Sequence, residues 1–131
     1  MTALATGGRT PLASGDRTAL AAGDWTAVCR YTDLAPERGI AALLGDLQVA
    51  LFRTYDGQLY AIGNQDPFTG AQVLSRGIVG SRGDTPTVAS PLHKQVFDLR
   101  TGNCLDDDEV AVVCYPVRNT DDVVEIWTPS P

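Results

Sequence analysis

The stretch 47–55, closed by Asp56-Gly57, constrains the fold more than any other part of the sequence. Leu47, Val49 and Leu51 alternate with Ala50 and Phe52, so a strand here is apolar on both faces. Such a strand gives little surface to water and belongs in a barrel or a sandwich. Asp56-Gly57 is a two-residue hairpin signal, because glycine accepts the positive φ of a type I′ turn. Residues 58–62 are then the returning strand. Trp25, Ala27 and Cys29 alternate with Thr26, Val28 and Arg30 in another strand pattern. Residues 40–44 form a short strand ended at Gly45-Asp46. Three more are predicted: 96–99, turned at Thr101-Gly102-Asn103, then 110–117 and 123–127, joined through 118–122. No amphipathic helix of ten or more residues is predicted, so the fold class is all-β, made of many short strands with close turn signals.

The 131 residues suffice for one domain with a real core and are too few for two of full size. Apolar residues make up 44% and charged residues 20%, an ordinary globular balance. The formal charge, 10 − 16 = −6, argues against a nucleic-acid backbone or an anionic membrane surface as partner. No apolar run approaches the ~20 residues that span a bilayer. Residues 1–23, rich in Ala, Gly, Thr and Ser and without periodicity, read as a disordered leader rather than a targeting segment. With no charged n-region and apolar h-region, a cytoplasmic location is expected. Cys29, Cys104 and Cys114 are then free thiols, an odd number without motif spacing. The domain is expected over 24–128, with 129–131 a tail. Within it, 63–102 is broken by Gly63, Gly70, Gly77, Gly80, Gly83, Pro67 and Pro86. This stretch reads as a loop-rich subdomain with short strands near Ile78 and Val88, set on a base of 24–62 and 103–128. Arg82-Gly83-Asp84 reads as a turn. Asp106-Asp107-Asp108-Glu109 lacks the spacing and the glycine of a calcium loop and reads as a solvated turn.

The common catalytic constellations are missing from the sequence. His93 is the single histidine, and no Gly-x-Ser-x-Gly nucleophile elbow accompanies it. There is no Walker loop, no Gly-x-Gly-x-x-Gly and no Cys-x-x-Cys. No catalytic, cofactor-binding or metal-binding residue is predicted.

Two stretches remain: Asn64-Gln65-Asp66-Pro67-Phe68-Thr69-Gly70, and Ser90-Pro91-Leu92-His93-Lys94-Gln95 running into Phe97-Asp98-Leu99 and Thr101-Gly102. They resemble the two loops of a Rieske iron–sulfur domain, Cys-x-His and Cys-x-x-His, which hold a [2Fe–2S] cluster through two thiolates and two imidazoles. On that frame the ligand positions hold Asp66, Phe68, Ser90 and His93, so three of the four ligands are replaced. With Val73-Leu74-Ser75-Arg76-Gly77, these segments look like the small subunit of assimilatory NADH-dependent nitrite reductase, a likeness that runs from Trp25 to Trp127. The resemblance implies a Rieske-like (ISP-domain) β-sandwich or barrel with a smaller loop-rich, cluster-type subdomain. It implies an accessory, non-catalytic subunit without a cluster. Its partner is a large subunit that carries FAD, a [4Fe–4S] cluster and sirohaem and reduces nitrite to ammonium with NADH.

Each vestigial position has a plain reading beside the functional one. His93 tempts a metal assignment, but a hydrogen-bonded imidazole is favoured, since a metal site normally needs three or four ligands. Phe68 reads as a contact for the partner or, preferably, as core filling. Asp66 is an expected acceptor for His93 across the loops. Arg76 and Lys94 fit contact with an acidic surface of the large subunit and simple solvation equally well. Two rival functions stand beside the accessory subunit: a Rieske-type ferredoxin that carries electrons on its own cluster, and a cluster-free module that binds some other oxidoreductase.

Overall fold

The computed structural model describes residues 22–130. Of the expected leader, residues 1–21 lie outside the described residues; Gly23 opens the first strand. The described chain is all-β apart from two single-turn 3-10 segments, Tyr31–Asp33 and Leu74–Arg76. It forms two compact units, one from 22–33 with 115–130, the other from 34–114. The subdomain boundaries expected from the sequence follow glycine content, whereas these units follow the packing of the chain.

The first unit is an antiparallel sheet of β1 (Gly23–Arg30), β10 (Val123–Pro129) and β9 (Val117–Thr120), with β10 in the centre. Central position explains the burial of Val124, Ile126 and Trp127. Glu125 is also fully buried and is met by Arg118, Nε to Oε1 at 2.7 Å, whose guanidinium lies 3.9 Å from the Trp25 ring centroid. The β9–β10 connection is shorter than the expected 118–122. It is only Asp121-Asp122, both at positive φ (51° and 72°), the pattern of a type I′ turn built without glycine. The cost of that backbone is offset by the Asp122 carboxylate, which accepts bonds from the Thr32 amide, the Thr32 hydroxyl and Arg30 Nε at 3.1–3.3 Å.

The second unit holds two sheets. One is β2 (Arg38–Leu44), β3 (Leu47–Arg53), β4 (Leu59–Gly63) and β8 (Cys114–Tyr115), in that order, β8 being where the chain leaves the unit. The other is β5 (Ile78–Arg82), β6 (Thr85–Ala89) and β7 (Val96–Asp98). Val49, Ala50, Leu51 and Phe52 of β3 are all fully buried, as two apolar faces require. Ala50, Phe52 and Ile62 from the first sheet pack with Leu74, Val88, Phe97, Leu99 and Cys104 in one core. That core crosses the expected line between base and loop-rich stretch.

Two expected features differ. The β3–β4 turn is not type I′: Gly57 alone has positive φ (86°), its N–H donates to Thr54 O, and Thr54 N–H donates to Gln58 O. This is a three-residue loop with glycine in the left-handed position. The expected strand 110–117 is not a single strand: residues 110–113 join no ladder beyond an isolated bridge of Ala111 to Asn103, and Pro116, which has no N–H, separates β8 from β9. Of the three free thiols, Cys104 is buried, Cys29 half-buried and Cys114 exposed as a residue, with its Sγ–H turned in to Arg100 O at 3.3 Å. Desolvation of the sulfurs, which face the protein, pushes the Cys29 and Cys114 thiols up from their ordinary pKa.

The Asp122 turn yields a stability order. Asp122→Gly relieves the positive φ but loses the carboxylate bonds, whereas Asp122→Ala loses the bonds and keeps the strain. Urea melts should place Ala below Gly by about 1 kcal/mol and both below the wild type. An alanine variant as stable as the glycine variant would contradict this account of the turn.

Candidate functional site

The first loop begins where β4 ends. Asn64, 1% exposed, uses both ends of its amide: Nδ2 donates to Gln48 Oε1 (3.2 Å) and Oδ1 accepts the Ser75 N–H (2.7 Å). One side chain thus ties the loop entrance to β3 and to the Leu74–Arg76 turn. Asp66 N–H donates to Ala71 O (2.8 Å), and Asp66 O accepts the Gly70 N–H (2.7 Å). Gly70, at φ +82°, lets the chain turn back to make these bonds. The Asp66 side chain accepts the Phe68 N–H at Oδ1 (2.8 Å), the Asx turn expected of an Asp-Pro segment.

The second loop uses the same device with a hydroxyl. Ser90 N–H donates to Gln95 O (2.9 Å) and Lys94 N–H to Ser90 O (3.0 Å), so residues 90–95 make one closed turn. Lys94 closes it at φ +62°. Ser90 Oγ accepts the Leu92 N–H (3.2 Å) and donates its own proton to Asp66 Oδ2 (2.6 Å). Asp66 and Ser90 are 0% and 1% exposed. A buried carboxylate needs partners, and both of its oxygens have one inside the loops.

The expected Asp66–His93 bond is therefore replaced by Asp66–Ser90. Ser90, at the base of its turn, points inward, whereas His93 is exposed and has no hydrogen bond among the described residues. Lys94 and Arg76 are exposed too. Phe68 is 38% exposed; its inner edge meets the fully buried Phe97, with ring centroids 6.3 Å apart and tilted by 53°. Leu92 is 48% exposed. Asn64 escaped sequence reading; its signal was a two-ended amide placed where an apolar strand enters an Asp-Pro loop.

The donor chemistry of the four positions does not fit a [2Fe–2S] cluster. They offer one carboxylate, one hydroxyl, one imidazole and a hydrocarbon ring, where two thiolates and two imidazoles are required. Asp66 and Ser90 are already bonded to each other, and no group of three or more His, Cys, Asp or Glu placed to hold a metal occurs among the described residues. A separate cleft of about 670 Å³ lies at the β3–β4 and β5–β6 turns, lined by Tyr55, Asp56, Tyr60, Asp84 and Arg100 among others. Its guanidinium is engaged by Thr85 and Asp98.

Comparison with known proteins finds relatives over most of the described chain. The family described as Rieske-like [2Fe-2S] domain matches residues 24–127. The nitrite reductase (NADH) small subunit of Escherichia coli K12 is 46% identical over 100 residues, covering 76% of this chain and 93% of that protein. A solved structure assigned as an NADH-dependent nitrite reductase small subunit, from Mycobacterium tuberculosis, superposes with a TM-score of 0.80 at 49% identity, over 83% of this chain and 98% of that one. A nitrite reductase [NAD(P)H] large subunit from Klebsiella oxytoca is 45% identical over 91 residues, which are 70% of this chain and 9% of that protein. The chain belongs to the Rieske-like [2Fe–2S] domain family and is a homologue of the small subunits of NADH-dependent nitrite reductase.

Proposed function

We propose that the chain is the accessory small subunit of a cytoplasmic NADH-dependent nitrite reductase and that it works without a cluster of its own. Its partner is the large subunit, which would carry FAD, a [4Fe–4S] cluster and sirohaem and convert nitrite to ammonium. This chain contributes a folded surface that stabilises or positions that subunit. The observation that carries the reading is the buried Asp66–Ser90 hydrogen bond, which joins two ligand positions directly to each other. No helix among the described residues is long and apolar enough to cross a membrane. Arg76 and Lys94 are exposed cations available to an acidic partner surface.

Anaerobic treatment of the purified chain with iron and sulfide should leave it colourless and without a Rieske-type EPR signal. Stoichiometric iron with that signal would overturn the cluster-free reading and favour the ferredoxin. The isolated chain should not turn over nitrite with NADH or reduced viologen, and activity should require the large subunit. Turnover by this chain alone would remove the accessory role. Asp66→Ala strands the Ser90 hydroxyl and the Phe68 N–H, so the isolated chain should lose about 1–3 kcal/mol in a denaturant melt. His93→Ala removes an exposed ring and should stay within roughly 0.5 kcal/mol of the wild type. Equal losses from the two would contradict the assignment of Asp66 as the tie.

A further inference from the structure

We infer that the tips of the two loops, Phe68 and Leu92, form the anchor through which this chain docks on the large subunit, against an apolar seat rimmed by carboxylates. The inference rests on the accessory-subunit reading and deepens it by naming the surface.

The geometry starts from the Asp66–Ser90 pair. The Phe68 amide is bonded to Asp66 Oδ1 and the Leu92 amide to Ser90 Oγ, so each tip residue stands two positions beyond one member of the same hydrogen-bonded pair. Two matching side-chain turns thereby bring two large apolar side chains to one end of the unit. Both remain in part exposed, at 38% and 48%. Neither is loosely held. Phe68 rests against buried Phe97, and residues 90–95 are closed by two backbone hydrogen bonds. A rigid aromatic braced on its inner side and open on its outer side is the usual form of an interface anchor, because little motion is lost on binding.

The rim identifies the occupant. The chain as a whole carries −6, yet the exposed ionisable groups within residues 64–70 and 90–95 are His93 and Lys94, since Asp66 is buried and bonded. A complementary partner therefore presents carboxylates around an apolar depression. The Klebsiella oxytoca large subunit points to the same occupant. A segment 45% identical to this chain makes up 9% of that protein, so the neighbours of that segment there belong to a large subunit.

The β3–β4 turn supplies an internal control. β4 runs Leu59–Gly63 from that turn to the first loop, so Tyr55, 81% exposed, lies a strand length of roughly 17 Å from Asn64. Full-length wild type, Leu92→Asp, Lys94→Glu and Tyr55→Ser are titrated against purified large subunit, and each is melted alone. Leu92→Asp should weaken binding about tenfold or more. Lys94→Glu should weaken it about threefold, with the difference shrinking as salt is raised. Tyr55→Ser should bind as wild type does, and all three should melt close to the wild type. If Leu92→Asp melts early, Lys94→Glu and its salt dependence decide. Wild-type binding with Leu92→Asp and Lys94→Glu unimpaired overturns the docking surface and leaves the accessory role standing. A wild-type chain that fails to bind the large subunit overturns both.

Discussion

The hydrogen bond from Ser90 Oγ to Asp66 Oδ2, 2.6 Å long, links two loops through residues that stand 24 positions apart in the chain. Each partner has a second duty: Asp66 also fixes the Phe68 amide, and Ser90 also fixes the Leu92 amide. The pair is therefore both the cross-link between the loops and the organiser of each. In a Rieske protein that cross-link is coordinate bonding to iron. A hydrogen bond to a charged group contributes only about 1.5–3 kcal/mol net, so it needs support from around it.

That support comes from below the loops. Asn64 pins the first loop to β3 and to the Leu74–Arg76 turn, and Lys94 N–H closes the second onto Ser90 O. Beneath them, Leu74, Val88 and Phe97 are fully buried in the core of the second unit. Phe97 also carries the inner edge of Phe68, so the platform for the exposed tip is the hydrophobic core itself. Gly102 secures the far side of β7: at φ +84° its missing Cβ leaves room for Val112 O, with which a methyl group would clash. Larger side chains there would push the 102–112 segment off the hairpin that holds Phe97.

Much of this architecture was legible in the residues. The doubly apolar run in β3 and the glycines at Gly45, Gly57 and Gly102 announce strands and turns, because period-two apolarity and positive φ are local properties. What was not legible depended on pairing. Asp56-Gly57 looks like a two-residue turn, and only the Thr54–Gln58 bond shows that the loop has three residues. Asp121-Asp122 carries no glycine, so nothing in the sequence marks both residues as left-handed. Pro116 was visible, yet the apolar residues around it hid the break between β8 and β9. The site shows the same division. The four positions that resemble Rieske ligand positions stand out by their spacing in the sequence, while their hydrogen-bond partners do not. Ser90 turns inward and His93 outward because the turn of residues 90–95 closes on Ser90 O, a fact of three-dimensional geometry.

Amide hydrogen exchange at Phe68 and Leu92 tests most directly whether a hydrogen-bonded pair holds these loops together without metal. In the iron-free chain both amides should exchange slowly and alike, since both hang on the Asp66–Ser90 pair, and Ser90→Ala should speed both, including Phe68, which Ser90 does not touch through its own backbone. Fast exchange at both amides in the iron-free wild type, slowed by added iron and sulfide, would contradict the account.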